Sequence, residues 1–249
     1  LIFYHQTDNK SLKKFNISLK FLKFYLLDKL LNIKSYSPLF NRSDKFFFKR
    51  LFYLPFVTNV IFKEKKNSKK YKFLMIGKFL EKKNHEMFVR GLKFLSKNFD
   101  IEGTIIGEVS TIDQKNEFNR IKKFVKKIGL EKKITILKNI PYKYINKFYY
   151  KNDFFVLPTN HDPAPFSILE AMSHGCMVLC SSSCGTKNYI NKNFNGYIFE
   201  NNNQSSLNKY MLKMIKNKKN FFNNHKKNHL IVQNSMGRSN FNLFFNKLI

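Results

Sequence analysis

Two carboxylates, Asp162 and Glu170, stand on either side of a stretch, PAPFSILEAM, where a polar loop turns into a helix. A helix N-terminus presents free N–H groups and the positive end of its dipole, both suited to phosphate. A carboxylate one turn into such a helix accepts hydrogen bonds from sugar hydroxyls. Two lysines, Lys78 and Lys83, flank a second loop, GKFLEKKN, which also ends at a helix start. Lysine is a point charge suited to phosphate oxygens. Alone, each lysine reads as ordinary surface charge. Beside Asp162 and Glu170 on the same sheet edge, the four side chains together suit a nucleotide diphosphate sugar.

The elements that must position these residues alternate. DFFVLP is a continuous apolar run, expected as a buried parallel strand, and ILEAM is a helix stopped by Gly175. Upstream, strands are expected at Lys72–Gly77, Ile101–Gly107 and Lys133–Leu137, with helices at Asn84–Leu95, Asp113–Ile128 and Tyr142–Tyr150 between and after them. Downstream come a strand at Met177–Ser181, a short helix near Thr186–Ile190, a strand at Tyr197–Phe199 and helices from Ser205 onward. Strand–helix alternation at short spacing predicts βαβ units and an α/β, doubly wound, Rossmann-like parallel sheet. Its ligands sit at the carboxyl ends of the strands. The charged run KEKKNSKK, 63–70, reads as a solvated linker. Before it lie a short strand ending at His5, a long amphipathic helix candidate (Ser11–Ile33), a turn at Tyr36–Leu39, a short helix at Asp44–Arg50 and an extended segment at Phe52–Val57. The Ser11–Ile33 stripe suits a helix packed on a sheet better than a membrane-surface helix. The expected division is 1–62, linker 63–70, a donor-binding unit over 71–235 and a C-terminal helix over 236–249.

The chain has 249 residues and a net charge of +30, and no run of eighteen apolar residues that could span a membrane. The charge has two readings of equal weight: affinity for phosphates, or the Lys-, Asn-, Phe- and Ile-rich composition of AT-rich coding. LIFY opens the chain as an interior strand rather than a leader, so a fragment of a longer protein is expected. Cys176, Cys180 and Cys184 lack metal-site spacing and read as reduced thiols around a strand, as in a cytoplasmic protein. The G-x-G-x-x-G and Walker patterns are missing. Ser167 and Ser173 lack a nucleophile-elbow context. His85, His161 and His174 show no metal spacing; they are expected to face solvent or cap helices, with His161 in the site loop.

Several of these strings, in order, resemble one family. From about Tyr71 to Glu200 the chain is similar to the donor-binding domain of the retaining, GT-B-fold glycosyltransferases of family 4. IGKFLEKKNHE resembles the family's G-R-L-x-x-x-K-[GN] loop, and TIIGE its second strand and glycine turn. LEKKITILKNIP resembles the segment before the base pocket. DFFVLPTNHDPAPFSILEAMSHGCMVLCS resembles the E-x7-E motif with E-A-M-A-x-G-x-P-V, and NGYIFE the n-G-x-l-f element. The resemblance implies that Lys78 and Lys83 hold the donor diphosphate and that Glu170 binds the ribose. It places Asp162 near the transferred sugar, and it has Phe166, Ser167, Ile168 and Leu169 cradle sugar and phosphate through backbone N–H groups. The stretch from Lys138 through Asn139 to Ile140 would line the base. No metal or cofactor is implied; the nucleotide sugar is a co-substrate. FYHQTD resembles the late strand of the acceptor domain, which makes His5 a catalytic candidate beside Asp162, Lys78 and Lys83. Three departures stand out: Lys78 where arginine is usual, Asp162 one methylene shorter than glutamate, and Pro165 without an N–H.

The expected function is therefore sugar transfer, with retention, from a nucleotide diphosphate sugar to a glycan or lipid-linked acceptor, as in polysaccharide or lipopolysaccharide synthesis. The expected setting is cytoplasmic, with a peripheral position on an anionic inner leaflet. The alternative is a non-catalytic basic protein of the same fold acting on nucleic acid or a membrane surface. Nucleic acid fits poorly, because the charged run 63–70 carries no aromatic residue to stack bases.

Overall fold

The computed structural model describes residues 2–4, 34–37, 51–53, 65, 69–192 and 194–245. His5, the helix candidate at 11–33 and the short helix at 44–50 lie outside the described residues. In the N-terminal part three strands, β1 (Ile2–Tyr4), β2 (Lys34–Ser37) and β3 (Leu51–Tyr53), pair in parallel in that order. Tyr36 and Ser37, expected in a turn, continue a strand, because they pair with Phe52 and Tyr53.

The second sheet has six parallel strands: β4 (Tyr71–Ile76), β5 (Ile101–Gly107), β6 (Ile134–Lys138), β7 (Phe154–Leu157), β8 (Met177–Ser181) and β9 (Gly196–Phe199). Their spatial order is β6-β5-β4-β7-β8-β9. The order reverses between β4 and β7, which makes the gap beyond their carboxyl ends the switch point of a doubly wound sheet. The central strands are covered on both faces, so they read as unbroken apolar runs. Phe73, Leu74, Met75 and all of β7 are fully buried, and Phe73 packs on Phe154 at 4.7 Å between ring centroids. β6, at the edge, is only partly covered.

Helices α1 (His85–Leu95), α2 (Ile112–Lys127), α3 (Asn146–Lys151), α4 (Phe166–Ser173), α5 (Gln204–Asn223), α6 (His225–Met236) and α7 (Arg238–Phe245) follow the strands. α2 buries Ile121 and Val125 and starts at Thr111, whose hydroxyl accepts from Gln114 N. Gly175, at φ +74°, ends α4 as its position foretold. The single helix expected over 142–150 is instead a one-turn 3-10 helix, Tyr142–Tyr144, followed by α3. The helix expected at 186–190 is a 3-10 helix, Gly185–Tyr189.

Of the charged run 63–70, Lys65 is held against α3. Its ammonium donates to the carbonyls of Tyr149 (2.8 Å) and Asn152 (2.5 Å) and to Cys176 Sγ (3.1 Å). These carbonyls lie at the C-terminal end of α3, where unpaired acceptors and the negative dipole end favour a cation. Cys176, Cys180 and Cys184 are free and buried. Asp153, the residue that leads into β7, forms a buried ion pair with Lys218 of α5 at 2.9 Å.

Candidate functional site

The loop after β4 is built around an anchor. Phe79 is fully buried, stacked on His85 at 4.8 Å and edge-on to Phe118 at 5.1 Å. This inward plug divides the two lysines. Lys78 turns to solvent and pairs with Glu108 at 3.0 Å, whereas Lys83, its side chain 13% exposed, lies in the site and pairs with Asp162 Oδ2. The one-turn helix Glu81–Lys83 brings Lys83 inward, and Asn84, in the left-handed region at φ 62°, redirects the chain into α1.

The loop after β7 is stitched to that loop across the switch point. The carbonyl of Lys82 accepts from Asn160 N at 2.8 Å and from the Thr159 hydroxyl at 3.0 Å. Asn84 Nδ2 donates to Asn160 Oδ1 at 2.7 Å. On its other side the same loop is held by the turn after β8. Asp162 bridges to Cys184, and Gly185 N donates to Asp162 O at 2.9 Å. Gly185 has no substitute there, because a Cβ would stand 1.8 Å from Pro163 O. Asp162 is thus fixed by its backbone on one side and by Lys83 on the other.

Glu170 is the most constrained acid of the site. Its Oε1 accepts from the Tyr142 hydroxyl at 2.6 Å and its Oε2 from the Tyr149 hydroxyl at 2.8 Å. Neither tyrosine was expected in the site from the sequence. Both phenols are held well in the donor form. The hydrogen bond to Glu170, with some burial, pushes Tyr142 up to about 12. Burial and then the Glu170 charge push Tyr149 well above its ordinary value. His174 stacks on Tyr149 at 5.2 Å, and its Nδ1 lies 2.7 Å from the Glu170 carbonyl at the end of α4. A carboxylate has about four acceptor positions, so Glu170 keeps capacity for ligand hydroxyls after accepting from two phenols.

The remaining expected site residues divide. Phe166 is 44% exposed and Ser167 half-buried at the start of α4. The side chains of Ile168 and Leu169 are fully buried in the core, which leaves only their backbone to the site. The Ile168 N–H bonds back to Pro165 O at 3.3 Å. Asn139, at φ 55°, clasps the backbone of Val109, with Oδ1 accepting from N at 2.7 Å and Nδ2 donating to O at 3.0 Å. Its amide therefore ties the β6 loop to the β5 loop, and Ile140 packs partly into the core. His85 and His174 are buried, not solvent-facing. Burial lowers the affinity of both for a proton. His174 does cap a helix; His85 lies beneath Phe79, its Nδ1 3.8 Å from Glu117. His161 is exposed.

A cavity of about 620 Å³ opens beside α1, lined by Glu81, Glu86, Arg90, Glu117, Arg120 and others. Its two guanidinium groups are bound by Glu86 and Glu117. Among the described residues no group of three or more His, Cys, Asp or Glu is placed to hold a metal ion. Among them also no helix is long and apolar enough to cross a membrane.

This geometry has relatives. A glycosyltransferase of Rickettsia africae superposes with a TM-score of 0.78 at 19% identity, covering 99% of this chain and 69% of that one. Anabaena HepE, solved with UDP and glucose, gives a TM-score of 0.78 at 11% identity over 100% of this chain and 71% of that one. Such likenesses establish the fold, which is that of GT-B glycosyltransferases. In sequence, the capsular polysaccharide biosynthesis glycosyltransferase CapH of Staphylococcus aureus is 28% identical over 146 residues, which is 57% of this chain and 38% of CapH. The chain thus spans well under half the length of that relative. The family model of the glycosyl transferases group 1 matches residues 57–234, and the chain belongs to that family.

Proposed function

We propose that this chain forms the donor side of a retaining glycosyltransferase, one that moves a sugar from a nucleotide diphosphate sugar to a glycan or lipid-linked acceptor. The observation that carries this is the meeting of Lys83 and Asp162 at the switch point of the sheet, with Glu170 aimed and held by two tyrosines one helix away.

Each group has a task in that reaction. Lys83, with Lys78 at the rim, stabilises the charge that develops on the departing diphosphate. The first N–H groups of α4 add to that field. Glu170 holds the ribose and so fixes the reach of the sugar. Asp162 lies against the transferred sugar, tethered so that its carboxylate keeps one position. No metal is required, because lysine and helix-end N–H groups supply the positive charge. The acceptor side, including the role of His5, belongs to the N-terminal part of the fold. A polysaccharide acceptor fits the likeness to CapH, and the basic surface fits a cytoplasmic enzyme peripheral to an anionic inner leaflet.

The test is a thermal-shift and calorimetric titration with UDP, GDP, ADP and CDP without added metal. A ligand that binds the native state raises its stability by mass action. One nucleotide should stabilise the chain, and Lys83→Ala and Glu170→Ala should each abolish the effect. Equal stabilisation of the variants and the parent would refute the assigned site.

A further inference from the structure

Glu170 is held by two phenols of opposite character. Tyr149 is fully buried and its ring is stacked on His174 and tilted against Phe155 at 6.0 Å. That hydroxyl cannot leave Oε2 without opening the core. Tyr142 is 71% exposed, although its hydroxyl reaches Oε1 at 2.6 Å. It stands on the one-turn helix between Pro141 and α3. That turn is secured beneath it by Tyr144 N to Pro141 O and Ile145 N to Tyr142 O, each 2.9 Å, with Ile145 buried. The phenol therefore swings away by rotation about its own side-chain bonds, with no change in backbone, on the fast timescale of exposed side chains. Of the two phenols on Glu170, the one on Oε1 is the exposed one.

We propose that Tyr142 is a specificity-determining latch: its hydroxyl and a hydroxyl of the donor's ribose exchange at Oε1 of Glu170. This rests on the reading of Glu170 as the ribose-binding acid. The consequence is a discount on ribose recognition. A carboxylate oxygen has a second acceptor position, so the latch requires that the ribose hydroxyl take the one the phenol occupies; a ribonucleotide then gives up the Tyr142 hydrogen bond to make its own. A deoxynucleotide lacking the competing hydroxyl leaves Tyr142 in place. The latch thus weakens discrimination by the sugar hydroxyl and covers the carboxylate between turnovers. Because an intact phenol is needed, phenylalanine at this position removes the competitor while keeping the ring.

The experiment compares the nucleoside diphosphate that binds in the titration above with its 2′-deoxy and 3′-deoxy analogues, by calorimetry, on the 249-residue chain and on Tyr142→Phe. Thermal unfolding confirms that the variant is folded. The affinity ratio of the ribo form to one deoxy form should rise about tenfold in Tyr142→Phe, the size of a hydrogen bond to a charged group. The affinity for that deoxy form should stay the same. An unchanged ratio would overturn the latch and leave the donor site standing. A falling ratio would also overturn it, by making Tyr142 a ligand of the ribose. Failure of all four nucleotides to bind the parent chain would remove the donor site and the latch with it.

Discussion

Gly185→Ala tests whether the turn after β8 sets the position of Asp162. In the native chain Gly185 N donates to Asp162 O at 2.9 Å, so the two backbones touch. A methyl group at Gly185 would stand 1.8 Å from Pro163 O, 2.6 Å from its carbonyl carbon and 3.0 Å from its Cα. All three are backbone atoms, so no side-chain rotation relieves the clash. Restoring even a 3.0 Å approach to the oxygen moves the 162–163 segment by about 1.2 Å. Overpacking of this kind costs about 1–3 kcal/mol, which lowers Tm by roughly 3–10 °C in a chain of this size. The same movement draws Asp162 off Lys83; with Asp162 in the role proposed above, a misplacement of about 1 Å costs roughly a hundredfold in transfer. Glu170 and its tyrosines lie on other elements, so nucleoside diphosphate affinity should fall far less than transfer. Gly129→Ala is the control. Its φ of +68° makes alanine strained, but nothing lies within 4 Å of the added methyl. It should cost about 1 kcal/mol and leave transfer intact. Scanning fluorimetry and a nucleotide-release assay on both variants decide the matter. A Gly185→Ala chain with parental Tm and parental transfer would refute the argument that this contact positions Asp162.

Three other outcomes are expected. Lys218→Met leaves Asp153 buried with Lys72 N, at 3.2 Å, as the remaining donor to its side chain among the described residues; urea unfolding should show a loss of about 3–5 kcal/mol, and adding Asp153→Leu should restore part of it. Stability should fall in two stages as pH drops. Burial holds His85, His174 and His229 below the usual histidine range, so from about pH 6.5 downward the unfolded chain binds protons that the native chain refuses, at up to about 1.4 kcal/mol per pH unit for each histidine. Glu117 follows: its burial favours the neutral form, but His85 and Arg120 outweigh this and hold it at about 2. Its contribution is therefore complete above about pH 4.5 and is lost as pH falls toward 2. Thermal unfolding from pH 7 to 3 should lose its lower stage in Glu117→Gln. Finally, Tyr149→Phe removes the inner support of Glu170, so unfolding should show a loss of about 1.5–3 kcal/mol; an unchanged midpoint would mean that the Tyr149 hydroxyl is not needed to hold the carboxylate.

The sheet was legible because its central strands are apolar throughout. FFVL and MVLCS have only one use in an α/β chain, and Gly175 announces the end of the helix between them. The partial misreading of 142–150 has a local cause. IPYKYINKFYY carries apolar or aromatic residues at helical spacing across the whole stretch, and only the burial of Ile145 and the exposure of Tyr142 and Tyr144 divide it into two pieces. Lys83 and Asp162 could be placed on one sheet edge from the order of elements. Their direct pairing could not, because it depends on β4 lying beside β7 across 79 residues of sequence. The tyrosines on Glu170 lie 28 and 21 residues away and left no motif. The one available hint was an aromatic pair, Tyr149-Tyr150, separated by three residues from a buried strand. His85 followed a lysine-rich loop and so looked exposed. Its burial comes from Phe79, whose ring must go somewhere apolar once the loop closes.

The +30 charge was uninformative in bulk, but individual lysines are not equivalent. Three of them have structural work that only a long cation can do. Lys65 binds two carbonyls at a helix end, Lys218 neutralises a buried aspartate, and Lys83 crosses from the β4 loop to Asp162. Others lie over aromatic faces, as Lys138 does over Phe118 and Lys213 over Tyr197, contacts worth little when solvated. Lys78 belongs between these groups: its partner Glu108 is itself half-exposed, so the pair is weak and readily exchanged for a stronger anion. This distinction orders the two lysines of the donor loop. On the function proposed above, Lys83, preset by its partner, would fix where a diphosphate lies. Lys78 would exchange its exposed partner for that anion, the role left to a residue without the planar fork of arginine.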